Sequence, residues 1–291
     1  MSVYRIAGLS MDLRNIDYPY VLRRMEQYRG EDGSGGLLVD YRQQTEITAP
    51  TGELAGKKWG YRTYLKTEDG RWVNYDSLEN TENRTALISF SPDFREAKAY
   101  LRDVEALGGA PIDVRCFNMM GEIFRMALTM GDGLVVHASS IACQGQGILF
   151  SAPPGTGKST HTGLWRQCFG DSVTIVNDDT PAVTFRDGQP FIHGTPWSGK
   201  TEINENIEAP LRAVVFLKQD KKNQISRLDS QEAVFRLMRE IFIYPYREMA
   251  DKALQTADKL LRSTPCYLLG CRPDFEAVQL VKNTLQLGDR L

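Results

Sequence analysis

The sequence contains no apolar run near the roughly 18 residues that a membrane-spanning helix needs, so no span is expected. Its opening stretch, MSVYRIAGLSMDLRNIDY, lacks the basic-then-apolar organisation of a secretory signal, which makes the cytoplasm the expected address. Charge of one sign is lacking as well: 35 Lys and Arg stand against 37 Asp and Glu, a net charge of -2. No global field therefore draws the chain to nucleic acid or to an anionic membrane, and partners must be recognised locally. Histidine is scarce, with only His137, His161 and His193, which argues against a histidine-rich metal site. The five cysteines are an odd number without a C-x-x-C pair, so neither a zinc site nor a disulfide framework is expected. No internal repeat or low-complexity tract is present.

What is there is an ordinary globular composition over 291 residues, enough for one or two domains. In the first third, VYRIAGL reads as a strand and YPYVLRRMEQY as a helix. LLVDYRQ, KKWGYRTYLKT and RWVNYDS read as strands, and FREAKAYLRDVEAL as a helix stopped by Gly108-Gly109-Ala110-Pro111. The expected division is a small α+β domain over residues 1–110 and a second domain over 111–291.

In the second part, Phe117, Met120, Phe124, Ala127 and Leu128 recur at helical spacing and predict a core-facing helix. GLVVHASSIACQGQGILFSA predicts two strands around Gln144-Gly145-Gln146-Gly147, and PAVTFRDGQPFIHG a second hairpin about Asp187-Gly188. LRAVVFLKQ and CYLLG read as strands. AVFRLMREIFI, MADKALQTADKLL and FEAVQLVKNTL read as helices.

Two stretches compete for the role of phosphate loop. Gly194 to Thr201 matches G-x-x-x-x-G-K-[ST] in every letter, whereas SAPPGTGKST carries Ala152 where the first glycine would stand. A phosphate loop works because backbone N–H groups curl around anionic oxygens where a helix begins, so it needs a strand before it and a helix after it. GILFSAPPGTGKSTHTGLWRQCF offers both, and Pro154, Gly155, Thr156, Gly157, Lys158, Ser159 and Thr160 become the expected nucleotide-binding residues. TEINENIEAP, after Lys200, has no helical apolar face. Trp197, Ser198 and Lys200 are instead candidates for the acceptor side, and Arg247, in IYPYREM, for a phosphate clamp.

In an Mg-ATP site the loop hydroxyl, here Ser159, shares the ion with a carboxylate at the end of a neighbouring strand. VTIV leads to Asp178 and Asp179 one helix and one return strand after Lys158. Adjacent residues at a strand end point to different sides, so one acid can take the metal while the other faces an acceptor hydroxyl.

The loop SAPPGTGKST, the pair NDD and the His-Ala step in VVHASS together resemble the catalytic domain of HPr kinase/phosphorylase, a fold shared with ATP-dependent phosphoenolpyruvate carboxykinase. The likeness covers Leu134 to Lys218 best. GTPWSGKTEINENIEAPLRAVVFLKQ further resembles the HPr-kinase-like proteins that stand apart from the true HPr kinases. The resemblance implies an α/β P-loop kinase domain with a mixed sheet and hairpins. It also implies that Lys158 contacts the β- and γ-phosphates of ATP, that Ser159 and Asp179 hold Mg²⁺, that Asp178 accepts the acceptor proton, and that His137 sits near the transferring phosphoryl group.

The glycine-rich stretch after an Arg and the C-terminal segment of true HPr kinases are missing, so neither HPr as substrate nor phosphorolysis is expected. The carboxykinase reaction would want further histidines and arginines. The expected function is an ATP- and Mg²⁺-dependent kinase acting on an aliphatic hydroxyl, most simply serine, free, in a peptide or on a carrier protein. A nucleotide-binding regulatory module and a nucleotide hydrolase are the rivals. A homo-oligomer is implied by the resemblance alone.

Overall fold

The computed structural model describes residues 2–31, 36–56, 61–78 and 82–288. The chain divides into two compact units, Met1–Gly131 with Ile243–Lys252, and Asp132–Phe242 with Ala253–Leu291. This division falls at Gly131 rather than at residue 110, because the helix following Pro111 packs on elements of the first unit.

The first unit contains β1 (Ser2–Ile6), β2 (Leu9–Arg14), α1 (Pro19–Met25), β3 (Leu37–Gln43), β4 (Glu53–Leu54), β5 (Arg62–Lys66), β6 (Trp72–Ser77), β7 (Arg84–Phe90), β8 (Glu96–Leu101) and α2 (Ile112–Met130). Its strands form one sheet in the order β1-β2-β3-β8-β7-β6-β5-β4. β3 runs parallel to both β2 and β8, and the remaining pairs are antiparallel. α2 lies against β8 and α1 and turns Phe117, Met120, Phe124, Ala127 and Leu128 into the core, as their spacing predicts.

Three readings of this part change. VYRIAGL does not stay a single strand, because Ala7 and Gly8 adopt φ of 50° and 81° and close a tight hairpin between β1 and β2. FREAKAYLRDVEAL is no helix. Glu96–Leu101 alternates, with Ala97, Ala99 and Leu101 buried, and pairs on both sides with β3 and β7, so sheet pairing overrides the helical preference of its alanines. RTALISF, unassigned from sequence, is β7. Residues 57–60 of the expected strand KKWGYRTYLKT, and 32–35 of the loop GEDGSGG, lie outside the described residues.

The second unit begins with β9 (Leu134–Val135), β10 (Ala138–Cys143), β11 (Gln146–Ser151), α3 (Lys158–Phe169), β12 (Val173–Asn177), β13 (Ala182–Arg186) and β14 (Gln189–His193). It continues with β15 (Glu208–Gln219), β16 (Gln224–Arg227), α4 (Ser230–Leu237), the later part of α5 (Arg247–Ser263), β17 (Cys266–Cys271) and α6 (Phe275–Thr284). The sheet runs β12-β10-β11-β15-β14-β13-β9, and the C-terminal part of β15 also pairs with β17, which pairs with β16. β11, β15 and β17 are parallel neighbours and the other pairs are antiparallel, so the sheet is mixed. Both predicted hairpins form, with Gln144 and Gly145 at φ 52° and 72°, and Asp187 and Gly188 at φ 51° and 82°. α3 and α6 cover one face of this sheet, where Trp165, Phe150, Val215, Val278 and Val281 share a core.

The predicted helix AVFRLMREIFI is only half present. α4 stops at Leu237 because the chain beyond leaves the helix to make sheet-like contacts: the Glu240 carbonyl accepts the His137 amide at 2.8 Å, and Ile241 bridges Val136. β16 was not anticipated; only one residue of Gln224–Arg227 is even half-buried, which leaves no apolar pattern to read.

Candidate functional site

The two glycine loops differ in what their glycines are for. After β11, Gly155 and Gly157 take φ of 78° and 112°, and a Cβ on either would meet nothing within 4 Å. Glycine is needed there for backbone direction, and the space around it is open. Gly157 caps α3 with no side chain bonded to the first turn, so the leading N–H groups of the helix, at Lys158, Ser159 and Thr160, face outward at its positive end. Ala152 is 2% exposed and belongs to the core, and its carbonyl accepts the Lys158 ammonium at 2.8 Å. The missing first glycine is therefore a packed strand end. Thr156 ties back to the Pro153 carbonyl at 2.8 Å, and Gln219 braces the Gly155 and Thr156 carbonyls.

At the rival loop, the glycines answer to packing. A Cβ on Gly194 would lie 1.8 Å from the Glu205 carbonyl oxygen, and one on Gly199, at φ 67°, would lie 3.1 Å from the Asp179 Cβ. Gly199–Thr201 is a three-residue 3-10 turn with no helix after it. The strand-loop-helix context belongs to residues 146–169 alone. The second loop nonetheless borders the acids: Asn204 bonds the Ser198 hydroxyl at 2.8 Å, Thr180 donates to the Trp197 carbonyl, and Ile203 accepts the Asp178 amide at 3.2 Å. Ser198 is buried, Trp197 half-buried and Lys200 exposed.

The centre of the site is the segment from His137 to Ser139. Lys158 donates to His137 Nε2 at 3.0 Å, and His137 Nδ1 lies 2.9 Å from Glu240 Oε2. A charged ammonium at Nε2 requires a lone pair there, so the proton sits on Nδ1 and is given to Glu240. Asp179 Oδ1 is 3.8 Å from the same Nε2. Burial lowers the Lys158 pKa, against the opposing pull of Glu240, Asp179 and Asp178.

Two residues further on, the Ser139 hydroxyl donates to Asp178 Oδ1 at 2.7 Å and meets the Thr162 hydroxyl at 2.8 Å. Thr162 in turn lies 3.2 Å from the Ser159 carbonyl, so a buried polar thread joins Asp178 to the first turn of α3. Asp178 is 5% exposed, while the Asp179 side chain is 39% exposed. The buried Asn177 side chain sets this divergence. Its oxygen accepts the amides of Asp179 and Thr180 at 2.9 and 2.7 Å, and its nitrogen donates to the Thr195 carbonyl at 2.9 Å.

The structure thus brings Lys158, His137, Asp178 and Asp179 together beside the loop, with Trp197 and Ser198 bordering the acids. Arg247 belongs to the first compact unit, exposed at the start of α5. Glu240, Ser139, Thr162 and Asn177 were not singled out from sequence. Ser139 sits two residues after His137, and Glu240 is a lone acid in the apolar run RLMREIFI; each was a signal of modest strength. A magnesium ion takes hard oxygen donors and keeps several waters. Ser159, exposed in the first turn of α3, and the half-exposed Asp179 are donors of that kind. Among the described residues no three His, Cys, Asp or Glu side chains form a metal cage, so an ion here would draw most of its ligands from a nucleotide and water. No helix among the described residues is long and apolar enough to cross a membrane.

Comparison with curated proteins finds no match. Among solved structures the chain is similar to the Hpr(Ser) kinase/phosphatase from Coxiella burnetii, with 11% identity and a TM-score of 0.31 over 52% of this chain and 95% of that one. The family described as SynChlorMet cassette protein ScmC matches residues 110–274, more than half of the chain and all of the loop, the acid pair and Glu240. The chain belongs to that family, SynChlorMet cassette protein ScmC.

Proposed function

We propose that the protein is an ATP- and Mg²⁺-dependent phosphotransferase that delivers the γ-phosphoryl group to an aliphatic hydroxyl, with serine, free, in a peptide or on a carrier protein, as acceptor. The observation that carries this reading is the convergence of Lys158 and the diverging Asp178 and Asp179 on the His137–Ser139 segment, beside the uncapped start of α3. Backbone amides from Gly155 to Thr160 cradle the phosphates after the turn at Pro154, and Lys158 reaches the β- and γ-oxygens. Asp178, one oxygen held by Ser139, aligns the acceptor hydroxyl and takes its proton with the other oxygen. Ser159 and Asp179 would hold the magnesium ion, which when bound neutralises charge on the phosphates. His137, kept in one tautomer by Glu240, stands beside the transferring group. Trp197, Ser198 and Lys200 form the acceptor side.

In this reading the second compact unit, which begins at Asp132 rather than at the expected residue 111, is the catalytic domain, the first unit is a small domain that binds a substrate, a partner or another copy of the chain, and the enzyme works in the cytoplasm. The test is incubation of the protein with labelled ATP, Mg²⁺ and, in parallel, free serine, serine-bearing peptides and HPr. Label on a serine acceptor is the expected result. Phosphate release without an acceptor would make the protein a hydrolase, and binding without turnover a regulatory module.

A further inference from the structure

A helix packed on a sheet ordinarily buries apolar side chains at the contact. In the first unit, one part of the contact between α2 and the sheet is instead opened into a cavity of about 310 Å³ with charged walls. α2 contributes Arg115, Asn118, Met119 and Glu122, whose spacing of three, four and seven residues places them on one face. The sheet contributes Arg62, Asp76, Ala86 and Leu101, which stand opposite one another across β5, β6, β7 and β8, and the neighbouring opposed pair Asn74 and Ile88.

The charges in this cavity are sorted into two poles. Arg62 is saturated by carboxylates, with Nε and Nη2 on Asp76 at 2.5 and 2.8 Å and Nη1 on Glu122 at 2.8 Å. One guanidinium is thus shared by two acidic side chains, with Arg125 also acting on Glu122. Asn74, 3% exposed, donates to Glu122 at 2.5 Å, while its own oxygen is buried without a hydrogen-bond partner. At the other pole Arg115 bonds two carbonyls, those of Arg102 at 2.5 Å and Thr85 at 2.9 Å, and no carboxylate. Burial raises the pKa of Glu122, against Arg62, and lowers that of Arg115, against Asp76 and Asp103, so each pole is poorly solvated. Between them lies an apolar wall of Ile88, Leu101 and Met119, all buried.

We propose that this cavity binds a single α-amino acid with an apolar side chain, its carboxylate on Arg115 and its ammonium on Asp76 and Glu122. A zwitterion offers a carboxylate to one pole and an ammonium to the other at once, which neither a simple anion nor a simple amine does. The fork of a guanidinium suits a carboxylate in particular. The volume sits at the lower end of the ~300–1,000 Å³ typical of ligand pockets, which suits one amino acid and excludes a nucleotide. The site is made within the first unit and stands independently of the phosphotransferase reading.

The test is calorimetry on the full chain with leucine, methionine and phenylalanine, with serine, lysine and glutamate, and with the decarboxylated amine and the deaminated acid of each apolar one. Saturable binding of at least one apolar amino acid is expected, at least tenfold tighter than its amine, its acid and the polar set. Arg115→Met should weaken that binding at least tenfold. Ala86→Leu, which fills the cavity without touching a charge, should do the same, with circular dichroism confirming that each variant is folded. Absence of saturable binding up to millimolar concentration would overturn the proposal. So would equal binding of the one-charge analogues or of the polar set, or unchanged affinity in both folded variants. If both variants fail to fold, the comparison of amino acid with amine and acid in the unaltered chain decides.

Discussion

The ammonium of Lys158 and the imidazole of His137 are joined at 3.0 Å, and the same ring is held from behind by Glu240. The lysine is therefore already aimed by a half-buried acceptor and by the Ala152 carbonyl, before any phosphate is present. This arrangement limits the rotamers that Lys158 must give up when it meets an anion.

Lys158→Met should weaken ATP binding at least tenfold, while Lys200→Met should leave it unchanged. Calorimetry with a non-hydrolysable ATP analogue distinguishes the two. Equal losses would return the Gly194–Thr201 loop to consideration as the nucleotide site.

Asp178→Asn keeps an oxygen for Ser139 and removes the charge needed to accept a proton. Single-turnover transfer should fall by about 10² to 10⁴, with nucleotide affinity retained. Near-normal turnover would show that Asp178 is not the base.

Glu240→Ala leaves the His137 Nδ1–H without its acceptor, a loss of about 1–3 kcal/mol of stability, and frees the ring to turn, so kcat should fall. Glu240→Gln retains an acceptor and should recover most of that loss. If kcat in the alanine variant matched the unaltered protein across pH, Glu240 would have no positioning role.

His193 is 7% exposed, and burial lowers its pKa to about 4 despite the nearby Glu208. The unfolded chain binds its proton near the ordinary value of 6.5, so the folded state's advantage is whole above pH 6.5 and drains away as pH falls towards 4. Between pH 7.5 and 4.5 the His193 contribution amounts to about 2–3 kcal/mol of unfolding free energy. Urea denaturation of His193→Gln at both values should show a pH dependence smaller by that amount. An unchanged dependence would place the acid lability elsewhere.

Much of the second unit was legible in sequence because its signals are local. Asp187-Gly188 demands a primed turn, and Lys158–Phe169 carries its own helix. The first unit was harder. Glu96–Leu101 holds two alanines whose helical preference is overcome by partners as distant as Leu38–Gln43, and that pairing leaves no local trace beyond a weak alternation. The site divides in the same way. Lys158, Asp178 and Asp179 announce themselves by spacing, but Glu240 reaches His137 from 103 positions away, and only the fold makes them neighbours. The match at Gly194–Thr201 hides a related demand: Gly194 is small to admit the Glu205 carbonyl, which a letter pattern does not distinguish from phosphate binding.

Asn177 gives the pair of acids its geometry, with two amides on its oxygen and the Thr195 carbonyl on its nitrogen. An aspartate in its place would be nearly isosteric and could still receive both amides, yet it would press a third negative group against a carbonyl oxygen. A protein carrying that one-atom exchange should keep its turn while the added charge repels both neighbouring carboxylates and the Thr195 carbonyl. The sharpest dependence of this acid pair on its surroundings thus rests on a neutral side chain that never meets solvent.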